Sequence, residues 1–265
     1  MRYLFGLLLL CHAALALAQP DPFPQVAASY LVEINGMPVW EKQGNRRLPL
    51  ASLTKLMTAL LTVELSQPQT IATVSHAAAQ ESGTRLGLKT SDKFHVEDLL
   101  AAALIASAND ACHALADHIA GSQTRFVQLM NRRAKKLGMR NTHFANACGH
   151  DMKDHYSSAH DLALLANELI KYPQITELTA KTAARISTLD GARNYRFESK
   201  NALIGRYSGA LGLKTGYTPN AGKCLVAYAK RGDTHVLLVM LHGYDRCWDA
   251  ADILDLAFDH ARHHA

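Results

Sequence analysis

The strongest constraint on the fold is the placement of strand-like segments at both ends of the chain, with helical segments between them. Near the start, two such segments flank Asn35-Gly36, a dipeptide that favours a tight hairpin because both turn positions accept positive φ. Near the end, residues 223–229 and 235–241 are separated by a short Gly-containing turn. Because half-buried strands must pair to bury their apolar faces, we expect one antiparallel sheet built from both ends of the chain.

The middle of the chain shows helical periodicity, together with residues that begin and end helices. We expect Asn109 to cap one helix and Gly121 to end it, and Ser158 to begin another. Tyr172-Pro173 is expected to stop the helix that Ser158 begins, near residue 170, because proline cannot continue a helix. The predicted helices cover residues 52–65, 77–80, 96–106, 110–120, 122–137, 158–170 and 246–260.

These patterns predict an α+β fold, in which an antiparallel sheet is flanked by helices and an all-helical lobe is inserted into it. We expect one domain over residues 19–265. Its sheet lobe would take residues 19–75 and 183–265, and its helical lobe residues 76–182. A chain of 265 residues is long enough to bury cores of this size.

The first residues have the pattern of a secretory signal peptide and not of the folded domain. Arg2 supplies a positive start, residues 4–10 are apolar, and Ala16-Leu17-Ala18 fits a cleavage site. We therefore expect a signal peptide over residues 1–18 and a secreted or periplasmic protein. An uncleaved membrane anchor is disfavoured because the apolar run is shorter than the roughly 20 residues that span a bilayer.

Charge and composition exclude two broad classes of protein. The formal net charge is +5 and the basic residues are scattered, which is unlike a nucleic-acid-binding surface. The apolar share of 48% is too high for a disordered chain. We expect a globular protein with no nucleic-acid partner.

The cysteines leave several possibilities open. Four lie beyond the predicted signal peptide, and export to an oxidising compartment would allow them to pair in three ways. Cys224 and Cys247 lie on or just past two strands that a hairpin makes neighbours, which would leave Cys112 to pair with Cys148. Four buried small side chains are the alternative.

Three short motifs combine residue types that nucleophilic catalysis needs. In Ser52-x-x-Lys55 the hydroxyl and the amine lie one helical turn apart on the same face, so a lysine with a lowered pKa can activate the serine. Ser107-x-Asn109 lies where two predicted helices meet. Lys214-Thr215-Gly216 lies on a predicted strand, where the cation attracts a carboxylate and glycine permits close approach of the substrate.

Each motif alone is weak, since Ser52 and Lys55 also fit an ordinary helix start and Ser107 an ordinary cap. Together, in this order, they match the set of penicillin-binding proteins and serine β-lactamases. The chain resembles the low-molecular-weight D-alanyl-D-alanine carboxypeptidases, the S11 serine peptidases. Longer segments carry the same resemblance: residues 49–58, 107–111, 156–162 and 213–218.

The resemblance implies a fold like that of serine β-lactamases and the transpeptidase domain of penicillin-binding proteins. It implies that Ser52 is the acylated nucleophile, Lys55 its general base and Ser107 a proton relay. The implied substrate-binding residues are Asn109, Lys214, Thr215, Gly216 and Tyr217, with the N–H groups of Ser52 and Tyr217 as the oxyanion hole. It implies no metal and no cofactor. The implied substrates are peptidoglycan stem peptides, and β-lactams are the implied covalent inhibitors.

The chain also departs from the family pattern. Ala108 replaces the glycine of many relatives, residues 146–150 replace an Asn-x-x-Gly-Leu segment, and His160 replaces an arginine. The chain ends just after its last predicted helix, so we expect no stable membrane anchor. Four histidines lie between residues 143 and 160, but their spacing is not that of a metal site. We expect them to be solvated histidines in loops. They are His143, His150, His155 and His160.

Three further functions stay open on the sequence. A DD-endopeptidase that cuts peptidoglycan cross-links would use the same motifs. A class A β-lactamase would need a Glu-x-x-x-Asn segment, which neither Glu168 nor Glu177 begins. An inactive wall-binding protein is disfavoured because all three motifs are complete.

Overall fold

The two ends of the chain pair in one five-stranded antiparallel sheet, as the sequence predicts. The computed structural model describes residues 21–245 and 248–263. The strand order in the main sheet is β2-β1-β9-β8-β7, and Leu31 of β1 lies opposite Val239 of β9. The strands are β1 (Ala27–Ile34), β2 (Met37–Lys42), β3 (Ile71–Thr73), β4 (Lys93–His95), β5 (Ala183–Ser187), β6 (Asn194–Glu198), β7 (Ala210–Thr218), β8 (Gly222–Arg231) and β9 (Thr234–Gly243).

The sheet has a hydrophobic core on each face, which explains the unbroken apolar sequence of β9. Successive side chains of a strand point to opposite faces. Leu237 and Val239 belong to the core shared with the helical lobe, whereas Leu238 and Met240 belong to a second core shared with the C-terminal helix. A strand covered on both faces therefore needs apolar residues at every position.

The helices lie mainly between β2 and β7 along the chain, and their ends follow local sequence signals. The Ser122 and Ser158 hydroxyls accept hydrogen bonds from the N–H groups of Arg125 and Asp161, and Gly121 ends a helix with φ 72°. The helices are α1 (Lys55–Leu65), α2 (His76–Ala79), α3 (Val96–Ile105), α4 (Asn109–Ala120), α5 (Gln123–Lys136), α6 (Ala159–Leu169), α7 (Pro173–Thr179) and α8 (Trp248–His263). Helix α3 is buried on almost all sides and forms the centre of this lobe.

Two sequence-based expectations about the helical lobe are wrong, and a third is incomplete. The lobe is not all-helical, because it contains β4, which pairs with β3 from the range assigned to the sheet lobe. Asn109 does not cap α4: Ala108 occupies the cap position, and the Asn109 side chain bonds elsewhere. The helix that Ser158 begins ends at Leu169, before Tyr172-Pro173 as expected, but Pro173 also begins α7, because proline is well suited to the first turn of a helix, where its missing N–H is not needed.

One of the two suggested cysteine pairs is present in the structure. Cys112 of α4 forms a disulfide with Cys148, and their Cα atoms are 5.9 Å apart. Cys247 and the suggested signal peptide lie outside the described residues, so pairing of Cys224 with Cys247 stays a prediction. Among residues 21–245 and 248–263, no helix combines the length and apolar character needed to cross a bilayer.

Candidate active site

The three sequence motifs come together where the helical lobe meets strand β7. Ser52 lies in a short 3-10 turn, Ala51–Thr54, that leads directly into α1. Ser107 and Asn109 lie at the junction of α3 and α4. The third motif lies on β7, which forms one edge of the main sheet.

The turn that carries Ser52 has an unusual backbone and is tightly enclosed. Ala51 has a φ of 48°, a left-handed conformation that is costly for a residue with a side chain. The Thr54 hydroxyl donates a hydrogen bond of 2.7 Å to the Ala51 carbonyl and closes the turn. A Cβ atom on Gly216 would lie 3.1 Å from the Ser52 nitrogen, so glycine allows β7 to approach the turn this closely.

Lys55 is buried, and its Nζ makes three polar contacts. Nζ lies 3.1 Å from the Ser52 Oγ, 2.7 Å from the Asn109 Oδ1 and 2.6 Å from the carbonyl oxygen of Cys148. Burial lowers the pKa of Lys55 from 10.5 to about 7, although the carboxylates of Glu81 and Asp110 act in the opposite direction. At neutral pH a large share of this amine is therefore unprotonated and able to accept a proton.

The Glu81 and Asp110 carboxylates both make their hydrogen bonds with groups other than Lys55. Burial opposes ionisation of Glu81, but hydrogen bonds with His113 and His150 outweigh it and hold its pKa well below the usual range. The Asp110 carboxylate accepts N–H groups of the loop before β4, at 2.8 Å from Gly87. Neither group makes a direct ion pair with the lysine among the described contacts, so they moderate the pKa without cancelling the effect of burial.

Asn109 links Lys55 to the loop that follows α2. Its Nδ2 donates to the carbonyl of Ser82 at 2.7 Å, and its backbone N–H donates to Thr84 at the same distance. With the amide nitrogen fixed in this way, Oδ1 must face Lys55. This role explains why Asn109 occupies the first turn of α4 without capping it.

Ser107 and Lys214 form a second pair on the opposite side of the site. The Lys214 Nζ donates to the Ser107 Oγ at 2.9 Å and to the carbonyl of Thr215 at 2.8 Å. Both side chains are buried, and Ser107 has a φ of 60°. The hydroxyl that joins this pair lies two residues from Asn109, so the backbone at the α3–α4 junction connects the two lysine clusters.

The other two candidate residues on β7 differ in their surroundings. Thr215 is buried next to Lys214, whereas the Tyr217 side chain is 62% exposed and points away from the core. The role suggested for Tyr217 belongs to its backbone N–H group, and the exposure of the side chain does not test that role. The sequence motifs thus lead to one compact site at which Tyr217 contributes no buried side chain.

Sequence analysis missed two groups that contact the site. One is the carbonyl oxygen of Cys148, because a backbone acceptor has no signal in the sequence. The other is His155, which lies next to a segment that carries the family resemblance. It is not solvated as expected: it is 5% exposed, and burial lowers its pKa from 6.5 to about 4.

Two of the remaining histidines are also paired and not simply solvated. His150 bonds to Glu81 at 2.9 Å and His160 to Glu41 at 2.7 Å. In the described part of the chain, no group of three His, Cys, Asp or Glu side chains is arranged to hold a metal ion.

The fold and the two serine–lysine pairs define a protein of the penicillin-binding class. The family described as D-alanyl-D-alanine carboxypeptidase, peptidase S11, matches residues 19–244. This chain belongs to that family.

Curated relatives support the same assignment. DacF of Bacillus subtilis, a D-alanyl-D-alanine carboxypeptidase, is 35% identical over 98% of this chain and 71% of its own length. DacC of Escherichia coli, another such carboxypeptidase, is 34% identical over 89% of this chain. The chain spans 61% of the length of DacC. The D-alanyl-D-alanine endopeptidase of E. coli is 28% identical over 86% of this chain and 76% of its own length.

Solved structures show that the fold expected from the sequence is correct. The D-alanyl-D-alanine carboxypeptidase of Mycobacterium tuberculosis superimposes with a TM-score of 0.85 at 28% identity, over 92% of this chain and 95% of its own. Penicillin-binding protein D2 of Listeria monocytogenes, solved in an ampicillin-bound form, gives a TM-score of 0.78 at 33% identity. That match covers 89% of this chain and 98% of the Listeria chain.

Proposed function

We propose that this protein removes the terminal D-Ala from peptidoglycan stem peptides through an acyl-enzyme on Ser52. The observation that carries the proposal is the buried Lys55 amine, 3.1 Å from the Ser52 Oγ, with a pKa lowered to about 7. A serine is a weak nucleophile unless a base within hydrogen-bond reach takes its proton, and this amine meets that requirement.

In the proposed first half-reaction, the Ser52 Oγ attacks the carbonyl carbon of the D-Ala-D-Ala bond while Lys55 takes the hydroxyl proton. The backbone N–H groups of Ser52 and Tyr217 would stabilise the oxyanion that forms. Collapse of the intermediate breaks the C–N bond. The leaving amine would take a proton from Lys214 through the Ser107 hydroxyl, to which the Lys214 Nζ donates at 2.9 Å.

Substrate binding would use the groups that surround this pair. The free carboxylate of the terminal D-Ala would lie against Lys214 and Thr215, because a carboxylate accepts charge-assisted hydrogen bonds from an ammonium group and bonds from a hydroxyl. Asn109 would bind the substrate amide, and Gly216 would permit close approach of the peptide. In the second half-reaction, water attacks the ester and gives up a proton through Ser107 to Lys214, while Lys55 returns a proton to the Ser52 Oγ as the ester bond breaks and the shortened stem peptide leaves.

The test is to mix purified protein with a pool of pentapeptide monomers and cross-linked dimers and to follow their masses. Loss of one D-Ala from the pentapeptide supports the proposal when a Ser52→Ala variant leaves the pool unchanged. Ser66→Ala is the matched control, because Ser66 lies at the far end of α1 from the site. This variant should retain full activity. An unchanged pool with the wild-type protein would contradict the proposal.

A DD-endopeptidase activity is the second candidate, favoured by the similarity to the E. coli endopeptidase. It would use the same acyl-enzyme, but the leaving group would be a second stem peptide. Splitting of dimers in the same experiment, with little change in the pentapeptide, would favour this activity.

A β-lactamase activity has less support. Glu168 is engaged by Arg133 at 2.9 Å and Lys171 at 2.7 Å, and Glu177 is exposed on α7, so neither is placed to activate a deacylating water. We expect β-lactams to acylate Ser52 and to be released slowly. Rapid, complete turnover of benzylpenicillin would contradict this expectation.

The proposed location is the periplasm, or the outside of the cell, after removal of residues 1–18. The apolar run and small residues of this segment support export. The mass of the protein recovered from the periplasmic fraction tests the proposal, with Gln19 expected as the first residue. Recovery of the full-length chain in the membrane fraction would contradict it.

A further inference from the structure

The Cys112–Cys148 disulfide joins two segments that each supply an oxygen to Lys55. Cys112 lies one helical turn after Asn109 on α4, so both side chains emerge from the same face of the helix. Asn109 Oδ1 accepts from Lys55 at 2.7 Å, and the carbonyl oxygen of Cys148 accepts at 2.6 Å. The disulfide therefore fixes the two acceptors relative to each other through covalent bonds.

These two acceptors can determine where the lysine lone pair points. A neutral amine has two N–H donors and one lone pair, arranged tetrahedrally around the nitrogen. When Asn109 and Cys148 each accept one N–H, the remaining direction faces the third neighbour, the Ser52 Oγ at 3.1 Å. With only one carbonyl in place, the amine can rotate, and its lone pair is no longer held toward the hydroxyl.

We propose that the Cys112–Cys148 disulfide is a positioning element for catalysis. It holds the Cys148 carbonyl against Lys55, so that the lone pair of the Lys55 amine faces Ser52. The inference rests on the proposed function, in which Lys55 is the base. Neither cysteine touches substrate in this account; both act through the lysine.

Other bonds also shape the same segment, and Glu81 joins it to α4 by bonding both His150 and His113. Asn146 Oδ1 accepts the N–H groups of Gly149 and His150, which forms a tight turn. The Thr58 hydroxyl donates to the carbonyl of Ala147 at 2.7 Å, which ties the segment to α1. The disulfide adds a covalent link to the helix that carries Asn109, one turn from that residue.

Opening the disulfide should also change the electrostatic environment of Lys55. The charged groups that act on the amine are the carboxylates of Glu81 and Asp110, which favour its protonated form, while burial disfavours that form. Water that enters beside a loosened segment reduces the effect of burial and leaves the carboxylates in place. The pKa of Lys55 then moves up toward its ordinary value.

The test compares acylation of the wild-type protein and the Cys112→Ser/Cys148→Ser double variant by a fluorescent penicillin from pH 5 to pH 10. We expect the midpoint of the double variant's profile to rise by about one pH unit or more. Its acylation rate at pH 7 should fall roughly fivefold or more and recover only in part at pH 9 to 10, where the amine is unprotonated again but its lone pair is no longer held toward Ser52. Cys112→Ala/Cys148→Ala is the second variant if buried serine hydroxyls prevent folding.

A control separates positioning from simple stabilisation, because removing a disulfide also destabilises a fold. Leu254→Ala creates a cavity between α8 and the sheet, far from the site, and should lower the unfolding temperature without moving the pH midpoint. In the folded cysteine variants, an unchanged or lower midpoint, or a rate at pH 9 to 10 equal to that of the wild type, would overturn the inference while leaving the proposed function intact. A wild-type protein that forms no adduct would overturn both.

Discussion

The Nε2 of His155 lies 2.8 Å from the Thr54 Oγ1, and this buried bond supports the backbone that presents Ser52. The Nδ1 of His155 accepts the N–H of Ala145 at 2.9 Å, so the proton of the neutral ring must reside on Nε2. Nε2–H then donates to Thr54, whose own hydroxyl donates to the carbonyl of Ala51. The chain of bonds ends at the residue with positive φ that precedes the nucleophile.

The first prediction concerns Thr54→Val, which removes the central hydroxyl and keeps the shape of the side chain. The Ala51 carbonyl and the His155 N–H lose their partner, so we expect a loss of about 1–3 kcal/mol in the free energy of unfolding. Displacement of Ser52 should also slow acylation by about tenfold. Urea denaturation and a fluorescent penicillin measure the two effects.

Thr62→Val is the matched control for that change. Thr62 is buried like Thr54 but lies on α1, and its hydroxyl donates only locally, to the carbonyl of Thr58 at 2.8 Å. We expect an unchanged acylation rate. Equal loss of acylation in both variants would show that the bond to Ala51 has no special role.

The second prediction follows from the pKa of His155, which burial lowers from 6.5 to about 4. The folded protein keeps this ring neutral while the unfolded chain binds a proton below about pH 6.5. The associated stability is thus fully present above pH 6.5 and is lost as the pH falls to about 4. It amounts to about 3 kcal/mol.

His155→Gln tests this linkage because glutamine does not titrate. We expect the free energy of unfolding of the variant to depend less steeply on pH between 6.5 and 4 than that of the wild type. Parallel curves for the two proteins over this interval would rule out His155 as the titrating group.

The third prediction concerns Gly149, which has a φ of 94° and packs against the turn before Ser52. A Cβ atom there would lie 2.8 Å from the Ser52 nitrogen and still closer to the carbonyl group of Ala51. We expect Gly149→Ala to lower the free energy of unfolding by at least about 2 kcal/mol, because strain and overlap add. Acylation of Ser52 should be abolished or strongly slowed.

Gly138→Ala provides the comparison, since Gly138 has a similar φ of 79° but an added Cβ would meet no atom within 4 Å. Only the backbone strain of about 1 kcal/mol is then expected, with normal acylation. Similar acylation in the two alanine variants would contradict the role given to close packing at Gly149.

The fourth prediction is the pH dependence of acylation. Lys55 acts as a base only when unprotonated, so the rate should rise with pH through a midpoint near the pKa of about 7. Lys55→Arg keeps the positive charge but stays protonated at all accessible pH values, and we expect it to show no such rise. A wild-type rate that is constant from pH 5 to 9 would contradict the role of Lys55.

Sequence reasoning located most of the site because its key residues lie within short motifs. Ser52 and Lys55 are one helical turn apart, and Lys214 and Thr215 are adjacent, so local geometry already places each set together. The alternation of faces in β9 and the turn at Asn35-Gly36 likewise depend on neighbouring residues. Local signals with two possible outcomes were less informative: Asn109 was expected to cap a helix and does not, and Pro173 not only follows the end of one helix but also begins the next.

The sequence by itself determined the fold class, the family and the residues of the three motifs, because these depend on periodicity, spacing and side-chain chemistry. Only the tertiary structure decided that the Cys148 carbonyl contacts Lys55, that His155 is buried against Thr54, and that Cys112 reaches Cys148. These contacts join residues from 36 to 101 positions apart. Contacts of this kind arise only when packing brings distant segments together, and packing also provides the burial that lowers the pKa of Lys55.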